Sequence, residues 1–324
     1  MGDSKANLQS QKSFVLISGT SNRPLAESIA RHLGVQLCAA EIDRFPNGET
    51  RVEILESVRG KDVYVVQSTC PPVNDNIMEL LLIIDALRRS SASTITAVVP
   101  YFGYSKQDKK KTGREPISAK VVADLLAVVG VQRLVTMDLH VPQIEGFFNI
   151  PVDNLSPLNL IADYIRKKGM NDLVIVAPDA GGVKRARNLA NLLDARLAII
   201  DKYRKHFKEA DAMNVVGKVK DLNAVIIDDF IDTGSSIVEA VKALRNHEVK
   251  SIIVACTHPI HTEPATQRLK ESDCDEIIVT DTIQLGAGKM FDRIKVLSVD
   301  DMLARTIAHI HNREPVAYLF HQHK

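Results

Sequence analysis

The stretch AVIIDDFIDTGSSIVEAVKALRNH, residues 224–247, joins an apolar run to a helical pattern through a short polar loop. Residues 224–227 are all apolar, which is typical of a strand that is buried on both faces of a parallel sheet. Residues 235–247 place branched apolar side chains on one stripe, which indicates an amphipathic helix. A buried strand that leads directly into a helix predicts an α/β fold.

The same alternation extends along the whole chain. Other short apolar runs cover residues 14–17, 63–66, 95–99, 134–137, 173–176, 197–200, 252–255 and 277–279. Further helical patterns cover residues 24–33, 76–89 and 116–129. Proline near the start of a pattern and glycine just after its end strengthen the first and third of these helices. We therefore predict mainly parallel β-sheets flanked by helices, connected by right-handed crossovers.

The segment NIPVDNLSP, residues 149–157, has two prolines and several turn-forming residues near the middle of the chain. At about 150 residues per domain, a chain of 324 residues suggests two domains. We predict an N-terminal domain of residues 1–155 and a C-terminal domain of residues 156–324, with residues 310–320 packing on the first domain.

Charge and aromatic content limit the classes of partner. Lys and Arg total 41 and Asp and Glu total 40, so the formal net charge is +1. This balance argues against a dedicated binder of nucleic acid or of anionic membranes. Aromatic residues are 5% of the chain and tryptophan is absent, which leaves little for a base-stacking platform.

The cysteines and the apolar runs indicate a cytoplasmic protein. The four cysteines are widely spaced and form no CxxC pair, so neither a disulfide framework nor a structural zinc site is expected. Residues 1–13 have no apolar segment of the kind found in signal peptides. No apolar run reaches the roughly 18 residues that a membrane span requires.

In sheets of this kind, ligands bind beyond the carboxyl ends of the strands. After residues 224–227, the carboxylates of Asp228 and Asp229 could bind sugar hydroxyls directly or through Mg²⁺. The hydroxyl-rich residues 233–236 open a helix, where backbone N–H groups favour an anion. The alternative is an ordinary helix cap beside a solvated acidic turn.

Two further loops follow predicted strands. Residues 178–185, PDAGGVKR, combine glycines with two cations, as a phosphate loop would, although a tight turn with a solvated basic face is the alternative. His140 follows residues 134–137 and is a candidate ligand or acid–base group, although a lone histidine is more often structural.

Two basic segments and one turn complete the candidate loops. Residues 100–116, PYFGYSKQDKKKTGREP, mix aromatic and cationic side chains as a nucleotide site would. Residues 201–208, DKYRKHFK, could form a basic loop that closes over a polyphosphate. Residues 44–49, RFPNGE, predict a tight turn whose polar side chains could bind a ligand. The alternative for both basic segments is solvated charge.

Several common motifs are absent from the sequence: GxxxxGK[ST], GxGxxG after the first strand, GxSxG and HExxH. P-loop NTPases, classical dinucleotide-binding proteins, α/β-hydrolases and zincins therefore have no support. Phosphate binding is the theme that the remaining loops share.

Nine stretches, in this order, resemble the ribose-phosphate diphosphokinase family, the phosphoribosyl pyrophosphate (PRPP) synthetases. They are FPNGE (45–49), VRGKDVYVVQST (58–69), NDNIMELLLIIDALRR (74–89), PYFGYSKQDKK (100–110), REPISAKVVADLL (114–126), TMDLHVPQIEGFFNIPVDNL (136–155), VAPDAGGVKRAR (176–187), DDFIDTGSS (228–236) and VTDTI (279–283). The resemblance implies two phosphoribosyltransferase-like domains and transfer of pyrophosphate from Mg-ATP to the 1-hydroxyl of ribose 5-phosphate, giving PRPP and AMP. It also implies a homo-oligomer, a hexamer built from dimers.

The resemblance implies a role for particular residues. The catalytic cations are Lys202 and Arg204. ATP is bound by Phe45, Asn47, Glu49, Lys106, Gln107 and Asp108. Ribose 5-phosphate is bound by Asp228, Asp229, Asp232, Thr233, Gly234, Ser235 and Ser236. The pyrophosphate loop is Asp179, Ala180, Gly181 and Gly182, and Mg²⁺ is bound by His140 and Asp179. Ser57 and Arg59 belong to an allosteric site for inorganic phosphate, as activator, and ADP.

The sequence departs from the family pattern at three places. Lys106 stands where arginine is usual, which keeps the charge and loses a planar group that can stack on adenine. Ser235 and Ser236 replace a Gly-Thr pair, and a positive φ at Ser235 would cost on the order of 1 kcal/mol. Residues 261–263, His-Thr-Glu, replace an aromatic-Ser-Gly turn.

These departures leave two alternatives to an active synthetase. The first is a catalytically weakened, regulatory subunit of a PRPP synthetase assembly, against which the retained His140, Asp179, Lys202 and Arg204 argue. The second is a phosphoribosyltransferase that consumes PRPP, against which the ATP-like first half of the chain argues.

Overall fold

The structure is a computed structural model that describes residues 14–203 and 212–316. The described residues form two compact units. The first unit comprises residues 14–156, 282–284 and 298–316, and the second comprises residues 157–203, 212–281 and 285–297. The chain thus leaves the first unit at residue 156, next to the predicted boundary, and rejoins it from residue 298.

The strands and helices alternate along the chain. The strands of the described residues are β1 (Phe14–Ser18), β2 (Ala40–Arg44), β3 (Thr50–Ile54), β4 (Asp62–Val66), β5 (Thr94–Val99), β6 (Arg133–Met137), β7 (Val152–Leu155), β8 (Leu173–Ala177), β9 (Arg196–Tyr203), β10 (Ala212–Val216), β11 (Asn223–Ile231), β12 (Ser251–Pro259), β13 (Glu276–Thr280) and β14 (Ile294–Leu297). The α-helices are α1 (Arg23–Leu33), α2 (Val73–Arg89), α3 (Ser118–Val129), α4 (Leu158–Lys167), α5 (Val183–Leu193), α6 (Ser235–Asn246), α7 (Ala265–Glu271) and α8 (Asp300–His311).

The first unit is built on a five-stranded sheet in the order β1-β4-β5-β6-β7, in which all neighbours are parallel. Strands β2 and β3 form a separate antiparallel hairpin. Helices α2 and α3 pack their apolar faces on the sheet, and side chains such as Leu80, Ile84 and Leu126 are fully buried there. Helix α8 packs against α1, so the C-terminal helix is part of this unit.

The second unit is built on a seven-stranded sheet in the order β10-β9-β8-β11-β12-β13-β14. All neighbours are parallel except β9 and β10, which form an antiparallel edge. The chain places β9 on one side of β8 and β11 on the other, so the winding direction reverses between β8 and β11. In open α/β sheets this reversal leaves a crevice at the carboxyl ends of the two strands, where ligands bind.

All nine predicted apolar runs lie within strands, and the four predicted helices are present with ends shifted by at most three residues. Two predictions of loop were wrong. Asp228 and Asp229 lie within β11, because the ladder with β12 continues to Ile231, and Lys202 lies within β9, because β10 pairs with that end. Residues 204–208 of the predicted basic loop lie outside the described residues.

No helix among the described residues is both long and apolar enough to cross a membrane. All four cysteines are free thiols. Burial, with a smaller contribution from Glu56, raises the pKa of the Cys38 thiol to about 11.

Candidate active site

Two neighbouring carboxylates lie near the carboxyl end of β11. Asp229 is almost completely buried, with 3% of the residue exposed, and Asp228 is partly buried. The guanidinium of Arg185, on α5, lies 4.0 Å from Asp228 Oδ1 and 3.7 Å from Asp229 Oδ2. A cation that follows β8 therefore sits beside both carboxylates of the adjacent strand.

The electrostatics of this pair follow from burial. Desolvation, and secondarily the charge of Asp229, raise the pKa of Asp228 well above its ordinary range, and Arg185 opposes this shift. Two carboxylates this close in a poorly solvated place resist carrying two negative charges. Hydroxyl donors or a cation would lower the free-energy cost of two neighbouring negative charges. The pair therefore suits a ligand with several hydroxyl groups or a bound cation.

The glycine-containing loop between β8 and α5 lies beside this pair, because β8 and β11 are adjacent strands. The N–H of Gly182 donates to Asp179 Oδ1 at 3.0 Å, which folds the loop back on its own carboxylate. Asp179, Ala180 and Gly181 are exposed. The loop ends at Gly182, the residue before the first turn of α5, so backbone N–H groups at its end favour an anion.

The loop after β11 is shorter than predicted, because it comprises only residues 232–234 before α6 begins at Ser235. Gly234 adopts the left-handed region at φ 75°, and Ser235 is not among the residues with positive φ. The strain expected at Ser235 is therefore absent. The hydroxyls of Thr233 and Ser235 lie 3.1 Å apart at the start of the helix, where the first backbone N–H groups have no partner within the helix.

Residues that follow β12 contact this loop, and sequence reasoning did not identify them as site residues. The hydroxyl of Thr262 donates to Asp232 Oδ1 at 2.6 Å, and its backbone N–H donates to Asp232 O at 3.1 Å. Arg268 Nη1 donates to Thr233 O at 3.0 Å. The only signal in the sequence was the departure at residues 261–263, which says nothing about what those residues touch.

In the first unit, residues 44–49 form the tip of the β2–β3 hairpin. The N–H of Phe45 donates to Glu49 O, the N–H of Gly48 donates to Phe45 O, both at 2.8 Å, and Asn47 Oδ1 accepts from the N–H of Glu49 at 3.1 Å. The predicted turn is confirmed. Its side chains are exposed, and 48% of the Phe45 surface faces solvent.

The second ATP-related segment follows β5. Lys106 and Gln107 are exposed and Asp108 is partly exposed. The Gln107 side chain accepts from the hydroxyl of Ser118 at 2.6 Å, which ties it to the start of α3. Tyr104 adopts a positive φ of 64° and donates to Asn74 Oδ1 at 2.5 Å, so the loop begins at an anchored, strained residue.

The residues predicted to bind Mg²⁺, to regulate the enzyme and to catalyse the reaction lie in different parts of the chain. His140 lies in the first unit, just after β6, whereas Asp179 lies in the second unit. Ser57 and Arg59 are exposed, and Arg59 Nη1 donates to the hydroxyl of Ser91 at 3.0 Å. Lys202 lies near the end of β9, where its backbone pairs with Met213, and Arg204 lies outside the described residues.

Comparison with known proteins identifies the family of this chain. Residues 14–130 match a family model described as the N-terminal domain of ribose phosphate pyrophosphokinase, and residues 204–321 match one described as the phosphoribosyl synthetase-associated domain. The chain is 48% identical over 307 residues to the ribose-phosphate pyrophosphokinase of Fusobacterium nucleatum, covering 94% of this chain and 97% of that protein. It is 49% identical over 309 residues to that of Caldanaerobacter subterraneus, covering 95% and 98%.

A crystal structure of phosphoribosylpyrophosphate synthetase from Mycobacterium smegmatis matches with a TM-score of 0.89 and 42% identity. The match covers 93% of this chain and 100% of that structure. The resemblance drawn from the nine motifs and the α/β fold class are thereby confirmed. The chain belongs to the ribose-phosphate pyrophosphokinase family, whose members are transferases of nucleotide biosynthesis.

Proposed function

We propose that this chain transfers pyrophosphate from Mg-ATP to the 1-hydroxyl of ribose 5-phosphate, giving PRPP and AMP. The observation that carries the proposal is the Asp228–Asp229 pair beside a glycine loop, at the reversal point of the second sheet. This arrangement offers acceptors for sugar hydroxyls and N–H groups for phosphate at one edge. The names of relatives that align over almost the full chain support the same reaction.

The reaction is an in-line displacement at the β-phosphorus of ATP, so positioning and charge stabilisation supply most of the rate acceleration. We assign the ribose hydroxyls to Asp228 and Asp229, and the 5-phosphate to residues 232–236. The loop 179–182 receives the pyrophosphate. Lys202 and Arg204 stabilise the charge that develops as the bond to AMP breaks.

The donors available suit Mg²⁺. Among the described residues, no group of three or more His, Cys, Asp or Glu side chains could hold a metal ion without other ligands. Mg²⁺ commonly binds through one or two protein ligands together with waters and substrate phosphates. We assign its protein ligands to His140 and Asp179; the ion would neutralise phosphate charge.

We extend the proposal to ATP binding, regulation and assembly. Phe45, Asn47 and Glu49, with Lys106, Gln107 and Asp108, would bind ATP, and Ser57 and Arg59 would bind the effectors phosphate and ADP. The two units would be the two phosphoribosyltransferase-like domains. Free thiols at all four cysteines fit a reducing cytoplasm.

An exposed apolar face supports association with a second copy of this chain, which we extend to a hexamer built from dimers. Helices α2 and α3 expose Met78, Val121, Leu125 and Val128, the last with 79% of its surface exposed. A groove of about 410 Å³ lies between these helices and is lined mainly by apolar side chains. Contiguous exposed apolar side chains of this kind mark sites of protein association.

The test is the identity of the nucleotide product. The purified protein should form AMP from ATP only when ribose 5-phosphate and Mg²⁺ are both present, and chelation of the metal should stop the reaction. ADP as the co-product would contradict pyrophosphate transfer. Absence of AMP with and without inorganic phosphate would favour the regulatory-subunit alternative.

A further inference from the structure

Three hydrogen bonds from residues after β12 hold the loop between β11 and α6, residues 232–234. Thr262 supplies two of them, from its hydroxyl to Asp232 Oδ1 and from its backbone N–H to Asp232 O. Arg268 supplies the third, from its guanidinium to Thr233 O. We propose that Thr262 and Arg268 are positioning residues that aim this loop at the 5-phosphate, an inference that rests on the proposed function.

The geometry of the trans peptide bond sets the direction of the N–H groups in this loop. In a trans peptide, the carbonyl of one residue and the N–H of the next point in opposite directions. Because Thr262 binds the carbonyl of Asp232, the N–H of Thr233 points away from Thr262. Because Arg268 binds the carbonyl of Thr233, the N–H of Gly234 points away from Arg268. Two consecutive N–H groups are thus directed away from the residues that follow β12.

The direction of the carbonyl oxygens also favours a phosphate at this loop. A carbonyl oxygen that faced the phosphate would repel it, and the carbonyls of Asp232 and Thr233 are instead held by donors on the opposite side. The hydroxyl of Thr262 likewise occupies Oδ1 of Asp232, which restrains the carboxylate. The N–H groups of Thr233 and Gly234 then extend the anion-favouring start of α6 by two donors.

A strained, buried residue supports the hydrogen bonds of Thr262. His261 adopts a positive φ of 46°, which is uncommon for a residue with a side chain, and its backbone N–H donates to Ile231 O at 3.0 Å. The residue is fully buried, and neither ring nitrogen has a hydrogen-bond partner among the described residues. The turn at His261 therefore brings Thr262 alongside Asp232 and is held in place by burial of the ring.

The experiment compares Thr262→Val, which keeps the volume and removes the hydroxyl, with Thr262→Ser, which keeps the hydroxyl. The hydrogen bond from the Thr262 hydroxyl to Asp232 exists with and without ligand, so its loss weakens binding by leaving the loop to be ordered when the phosphate binds; a tenfold loss of affinity corresponds to about 1.4 kcal/mol. We expect Thr262→Val to weaken ribose 5-phosphate binding, measured by calorimetry, at least about tenfold. Thr262→Ser should stay within about threefold of wild type, and KM for ATP should change little in both variants.

A second pair tests Arg268 without relying on the first. Arg268→Met should weaken ribose 5-phosphate binding by a similar factor, whereas Gln267→Met, an exposed change on the same helix, should not. Thermal unfolding of each variant separates weaker binding from loss of structure. If Thr262→Val should fail to fold, the Arg268 and Gln267 pair still decides.

Three results would overturn the inference: equal effects of Thr262→Val and Thr262→Ser, equal changes in KM for ATP and ribose 5-phosphate, or unchanged ribose 5-phosphate binding in Thr262→Val and Arg268→Met. A wild-type protein that does not bind ribose 5-phosphate would also overturn it. A wild-type protein that binds ribose 5-phosphate yet makes no AMP would overturn the proposed function only, because the binding comparison would still stand.

Discussion

The two polar regions assigned to the substrates are held in different ways. The acidic region of the second unit is restrained by groups from three other segments: Arg185 on α5, Thr262 after β12 and Arg268 on α7. The hairpin tip at residues 44–49 is held mainly by bonds within the turn, with one exposed ion pair outside it, from Arg44 to Asp75 on α2 at 3.3 Å, and its side chains are exposed. The region proposed to bind ribose 5-phosphate is thus preorganised, while the exposed side chains at the tip are less restrained.

The difference has a physical origin in burial. A carboxylate such as Asp229, with 4% of its side chain exposed, needs a nearby cation or donors, since desolvating an uncompensated charge is costly. Exposed side chains such as Glu49 are solvated by water and need no such partner. Preorganised groups lose less freedom when a ligand binds, which favours placing them where alignment decides the rate.

The largest expected effect lies in neither region. If both regions mainly bind and orient substrates, loss of turnover should come from the two proposed catalytic cations, Lys202 and Arg204. Lys202→Ala and Arg204→Ala should each lower kcat by about 100-fold or more, a size typical of removing one donor that stabilises developing charge. KM values should change little, as steady-state kinetics can show; an effect confined to KM would contradict a transition-state role.

The next prediction contrasts a buried and an exposed carboxylate directly. Asp229→Ala leaves Arg185 without one of its two carboxylate neighbours and should lower the free energy of unfolding by about 3 kcal/mol. Glu49→Ala should change it by less than about 0.5 kcal/mol. Urea unfolding of both variants measures the difference, and equal effects would show that burial does not distinguish the two carboxylates.

The buried imidazole of His261 should make the stability of the protein depend on pH. Burial, and secondarily the charge of Lys289, lower the pKa of His261 to about 4 from its usual 6.5. Between these values the unfolded chain binds a proton that the native protein does not, so stability falls as the pH falls from about 6.5 towards 4. The loss attributable to His261 should reach roughly 3 kcal/mol, at 1.36 kcal/mol per pKa unit.

His261→Phe removes this titration while keeping an aromatic ring in a site where no described residue hydrogen-bonds the imidazole. The variant should match or exceed wild-type stability at pH 7 and lose less of it by about pH 4. Unfolding curves at both pH values measure the change. Identical pH dependence in the two proteins would show that His261 does not titrate on unfolding.

The smallest expected effect is at Lys106, an exposed residue in the region assigned to ATP. Lys106→Arg adds a planar group that can stack on adenine, and exposed cation–π contacts contribute about 0.5–1 kcal/mol. ATP should therefore bind about two to five times more tightly by calorimetry, with ribose 5-phosphate binding unchanged. Unchanged or weaker ATP binding would contradict stacking at this position.

Several parts of the fold could be predicted from local pattern. The nine apolar runs identified the core strands, because a strand covered on both faces must be apolar throughout. Some short or polar strands were not predicted. β2 and β3 form a hairpin separate from the main sheets and are rich in charged side chains. β7 lies within the segment that was predicted as the domain boundary. Short or polar strands carry little periodicity, and pairing decides whether they form.

By itself the sequence determined the fold class, the order of the phosphate-related loops and the family, since these depend on periodicity and on motifs that are local along the chain. Only the tertiary structure decided that Asp228 and Asp229 belong to a strand, and that the positive φ lies at Gly234 and not at Ser235. It alone brought Arg185, Thr262 and Arg268 to the acidic region. Such contacts join residues about 30 or more positions apart, and sheet order, which local pattern does not specify, sets which of them meet.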